Sequence, residues 1–105
     1  MKDEIVMISV DIISNAGNAK SCFVEAIDLA KENKVEEARG KIAEGEKSLV
    51  ESHKAHAKLL TMEANEEGLD FSLLLMHAED QMMSIETLQI MAESFLELYE
   101  KVNKE

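Results

Sequence analysis

The stretch LLLMHAEDQMM, Leu73 to Met83, sets a histidine and two acids among residues that leave water readily. Seven of its eleven residues are Leu, Met or Ala. Followed onward, His77, Gln81, Ser84, Leu88, Met91, Phe95, Leu98 and Val102 alternate spacings of four and three. That alternation keeps one face of an α-helix together. This seam is polar for three residues and apolar afterwards. Asp70 or Ser72 can cap the helix start, and the pattern runs to about Asn103.

Two segments upstream carry the same period. From about Asp3 to Asn33 the seam is Ile5, Ile8, Ile12, Asn15, Ala19, Cys22, Ala26 and Leu29. Val6, Ile13, Phe23, Val24 and Ile27 widen it, so burial on more than one side is expected. Gly17, in NAGNA, reads as a tolerated bend or a close helix crossing. Asn33 reads as a left-handed helix terminator. From about Val35 to Glu67 the seam is Val35, Ala38, Ile42, Gly45, Leu49, Ser52, His56 and Leu59, with Gly68 as the following turn residue.

The fold expected is therefore all-α. Three helices of about 30 residues, each about 45 Å long, joined by short connections, make an antiparallel up-down-up three-helix bundle. The 105 residues suit one domain, 1–105. Proline is absent, glycine occurs four times, and the four aromatic residues leave the core to Leu, Ile, Val, Met and Ala. So small a chain buries a modest core, a limit that oligomerisation relieves.

A net charge of −11 repels phosphate backbones and anionic lipid. Nucleic acid and membrane are poor partners for such a surface, and a basic protein is a good one. Cys22 is the only cysteine, which fits a reducing compartment. No leader pattern opens the chain and no apolar run reaches spanning length, so a cytoplasmic protein without membrane insertion is expected.

In an up-down-up bundle the end of the second helix lies beside the start of the third. His53 and His56 are then brought toward His77, Asp80 and Gln81. Three readings of His77 stand side by side. It is a hydrogen-bonded core histidine. It is a metal ligand with His53, His56 and a carboxylate, though no HExxH supports this. Or it is a nucleophile, since a neutral imidazole nitrogen takes a phosphoryl group directly. Gln81, His53 and His56 are the candidate donors to the phosphoryl oxygens. Asp80 is either a surface carboxylate at a groove edge or, with Leu73, Met76 and Met83 beside it, part of a subunit contact. Copies of Asp80 brought together need protons or a hard cation such as magnesium. Met62, Met76, Met82, Met83 and Met91 read as core filler, with a Met-lined interface for those too many to fit inside.

LLLMHAEDQMM resembles the segment around the active histidine of the lactose/cellobiose-type enzyme IIA components of the bacterial sugar phosphotransferase system. IISNAGNAKSCFVEAIDLAKENKVEEAR resembles that family's first helix and turn, and ESHKAHAKLL its second-helix motif. The resemblance runs from about Ile5 to Tyr99. It implies a three-helix protomer in a homotrimer. It implies that His77 accepts a phosphoryl group from the carrier HPr and passes it to a cysteine of IIB, for uptake and phosphorylation of a β-linked disaccharide through IIC. It implies that Asp80 gathers a magnesium ion on the threefold axis. Three positions depart from the family pattern. Glu79 stands where the family often has glutamine, Gln81 where it often has histidine, and His56 where it often has glutamine. Which of Gln81, His53 and His56 meets the phosphoryl group is therefore open, and so is the sugar. The rival readings are a non-catalytic helical interaction module with a polar register-setting seam and a histidine-carboxylate metalloenzyme.

Overall fold

The computed structural model describes residues 2–65, Lys2 by its backbone, and 72–104. Three α-helices of 30 residues each, α1 (Lys2–Lys31), α2 (Val35–Ala64) and α3 (Leu73–Val102), account for nearly all of them. No strand occurs among the described residues. Gly68, Asp70 and the expected end of α2 at Glu67 lie outside them.

The α1–α2 turn is built by backbone geometry. Asn33 takes φ 61°, the left-handed region. Its N–H donates to the Ala30 carbonyl at 3.0 Å, and the Lys34 N–H donates to the Leu29 carbonyl at 2.9 Å. These two bonds close a Schellman motif, and Asn is among the few non-glycine residues that accept the geometry. The helix therefore stops where the sequence indicates.

Cross-helix partners run in opposite directions along each pair. Along α1 and α2, Ile12 meets Ser52, Asn18 meets Ser48 and Glu25 meets Lys41. Along α2 and α3, Arg39 meets Glu100, His53 meets Glu86 and His56 meets Glu79. The Ser52 hydroxyl donates to the Ile12 carbonyl at 3.1 Å in the interior, so α1 and α2 come close there. Gly45 permits the neighbouring contact. A Cβ at Gly45 would stand 2.6 Å from Phe23 Cε1, and Phe23 is fully buried. Burying side chains such as Phe23, Ile12 and Leu59 stabilises the bundle by roughly 1.5–3 kcal/mol each.

The seams of α1 and α2 face inward as read from the sequence. Their members are buried, apart from Asn15, Leu29, Val35 and His56, which are half-buried. The widening of the α1 stripe holds for Phe23, Ile13 and Ile27, while Val6 and Val24 stay exposed. Gly17 is no close crossing within the protomer: it is exposed, and a Cβ there meets nothing within 4 Å.

The seam of α3 needs correction. The buried residues are Leu75, Ala78, Met82, Ile85, Ala92 and Leu96. From Ala78 onward each is the C-terminal neighbour of a seam residue expected from the sequence. The helix is thus turned by one residue, about 100°, from that expectation. His77, Ser84, Met91, Leu98 and Val102 are exposed, and Gln81, Leu88 and Phe95 are half-buried. The physical reason is that α3 has two apolar stripes with the same period. Burial of Met82 and Ile85 rather than Gln81 and Ser84 decides between them.

Candidate functional site

Ser72 caps α3. Its backbone is extended, and its hydroxyl accepts from the Leu75 N–H at 3.2 Å. Five residues on, His77 projects from the second turn and is exposed. Its chain neighbour Ala78 is fully buried and takes the inward position. Gln81, one turn after His77 on the same side, is half-buried. Asp80 is exposed and lies about 60° round the helix from His77.

Asp80 sits in an uncommon setting for a surface acid. The outward face of α3 carries Leu73 at 75% exposure, Met83 at 64% and Ile90 at 66%, with Met76, Met91, Leu98 and Val102 also exposed. Between Leu73 and Ser94 the only carboxylate on that face is Asp80. So much exposed apolar surface in one stripe marks an interaction face. Three of the five methionines in question, Met76, Met83 and Met91, lie on it or at its edge, while Met62 and Met82 are buried.

The structure sets His53 and His56 against α3, as the sequence suggests, and their partners there are Glu86 and Glu79. His56 Nε2 lies 3.0 Å from Glu79 Oε1, and His53 Nε2 lies 3.5 Å from Glu86 Oε1. Glu79 is about 200° round α3 from His77. His53 and His56 thus face the opposite side of α3 from the exposed imidazole. Sequence reading missed Glu79 and Glu86 as their partners. The available signal is the match of two histidines a turn apart with two acids on one side of the facing helix. It is a weak signal, because α3 carries many glutamates. Gln81 and Asp80 thus lie on the His77 side of α3, while His53 and His56 engage Glu86 and Glu79.

Among the described residues no group of three or more His, Cys, Asp or Glu could hold a metal ion. A single protomer offers Asp80 alone, one oxygen donor group for a hard cation that takes six or more. The residues fit such an ion only as a site shared between copies. Cys22 is buried beside Lys41, Glu44 and Glu25. Burial above all pushes its thiol pKa up, the two acids add to this, and Lys41 opposes it. A thiol held protonated is a poor nucleophile. Lys41 hydrogen-bonds Glu25 and Glu44, which push its own pKa up at the surface.

Fold and site together define a small all-helical protein that presents an exposed imidazole, His77, beside an apolar helix face carrying the carboxylate of Asp80. Residues 7–100 match the family model described as PTS system, Lactose/Cellobiose specific IIA subunit. The chain is 36% identical over 105 residues to the lichenan-specific phosphotransferase enzyme IIA component of Bacillus subtilis (strain 168), covering 100% of this chain and 96% of that one. It is 38% identical over 96 residues to the oligo-beta-mannoside-specific EIIA component of the same organism, covering 91% and 87%. The crystal structure of the PTS cellobiose-specific enzyme IIA from Bacillus anthracis superposes with a TM-score of 0.89 at 34% identity, covering 91% of this chain and 88% of that chain. The chain belongs to the lactose/cellobiose-specific IIA family of the sugar phosphotransferase system. No helix among its described residues is long and apolar enough to cross a membrane.

Proposed function

We propose that this protein is a cytoplasmic phosphoryl carrier with His77 as the acceptor. The observation that carries the reading is the exposure of His77 beside Gln81, in a chain whose family membership is established. A His77 ring nitrogen attacks the phosphorus of phosphohistidine on HPr. The new N–P bond forms as the donor N–P bond breaks. A IIB cysteine thiolate then attacks the same phosphorus and releases His77. Gln81 is the phosphoryl contact within the chain, donating through its side-chain amide. His53 and His56, occupied by Glu86 and Glu79, are not assigned that role within the protomer. The final product is a phosphorylated β-linked disaccharide, and a basic donor surface is steered toward a chain of charge −11.

The protomer in this reading is the antiparallel up-down-up bundle, a single domain over 1–105, and it assembles as a homotrimer. The apolar outward face of α3 supports that assembly. Asp80 copies brought together in such an assembly would be the residues to hold a structural Mg2+, which would supply the positive charge to balance their carboxylates. The test of the carrier role is incubation with phosphorylated HPr. Wild type becomes labelled and His77→Ala stays unlabelled. Equal labelling of the two removes the assignment.

A further inference from the structure

The first two turns of α3 are thinly held. Of their residues only Leu75 and Ala78 are buried, and alanine contributes little area. Leu73, Met76, His77 and Asp80 all point to solvent. Three polar ties join α3 to α2: Arg39 with Glu100 at 2.9 Å, His53 with Glu86 at 3.5 Å and His56 with Glu79 at 3.0 Å. The last is the tie nearest His77. It is also the most sheltered histidine contact, with the His56 side chain 25% exposed.

We propose that His56 is a positioning residue: through Glu79 it clamps the second turn of α3 against α2 and so sets where the His77 imidazole stands for phosphoryl transfer. This rests on the carrier reading above. Glu79 faces away from His77, so it acts through the helix and not on the phosphoryl group. Nε2–H donates to the carboxylate whether or not Nδ1 carries a proton, so the clamp forms in either charge state. Placement of this kind matters because small displacements of a reacting group slow transfer strongly.

Two measurements test it on the full chain: amide hydrogen exchange over residues 75–81, and the rate of His77 labelling by phosphorylated HPr at saturating donor. In His56→Ala, exchange over 75–81 rises about tenfold, the scale of one lost hydrogen bond to a charged group. Labelling at saturating donor falls about tenfold, with the half-saturating donor concentration unchanged. Glu79→Gln, as a milder second variant, moves both in the same direction. His56→Gln combined with Glu79→Gln rebuilds an amide pair and restores both. Arg39→Ala breaks the tie at the far end and leaves both at wild-type values. Unchanged exchange over 75–81 in His56→Ala overturns the proposal, as does an equal effect of Arg39→Ala. Faster exchange with no labelling even of wild type keeps the tie as structure. It overturns the role in transfer together with the carrier reading.

Discussion

His77 and Ala78 are bonded neighbours that face nearly opposite environments: the imidazole is exposed and the methyl is fully buried. The 100° step between successive helical residues accomplishes this. A core position as small as Ala78 lets α3 approach the bundle while its neighbour stays in water. Ala78→Leu should therefore lower stability by about 1–3 kcal/mol through overpacking. His77→Ala should change it by less than about 0.5 kcal/mol, as exposed substitutions do. Urea unfolding of the two variants checks the contrast.

Gly45 and Gly17 give a second contrast. A methyl at Gly45 collides with the buried Phe23 ring at 2.6 Å, so Gly45→Ala should cost about 1–3 kcal/mol. Gly17 has open space and helical neighbours. Gly17→Ala should raise protomer stability by about 0.5–1 kcal/mol. Thermal unfolding should move the two melting temperatures in opposite directions.

The outward face of α3 predicts assembly behaviour. Met83→Glu puts a charge where 64% of the methionine is exposed in the protomer. In the proposed trimer that charge is buried without a partner, which is costly, so sedimentation should show a lower assembly mass than wild type with helix content retained. Removal of divalent cations, or Asp80→Asn, should weaken assembly. An unchanged mass in all three experiments would argue against the shared site.

Cys22 makes stability fall at alkaline pH. Burial raises its folded pKa above the ordinary 9.0, so the unfolded thiol ionises first. The unfolded chain then binds fewer protons than the folded one, and the free energy of unfolding decreases as pH rises. The contribution is fully present below pH 9.0 and is lost as pH climbs through the folded value. Cys22→Ala should flatten this part of the stability profile in chemical unfolding between neutral and alkaline pH.

Local sequence rules determined much of this protein: periodicity gave three helices of about 30 residues and the inward faces of α1 and α2, and residue type gave the left-handed stop at Asn33. Those features rest on local rules, one apolar stripe per helix and one backbone conformation per turn. The resemblance around His77 marked the family. Tertiary structure alone decided which apolar stripe of α3 enters the core, because two stripes one residue apart share a period and differ only in what they pack against. It also decided where His53 and His56 go. Their partners Glu79 and Glu86 are chosen by the rotation of α3 about its own axis, a quantity no local spacing encodes.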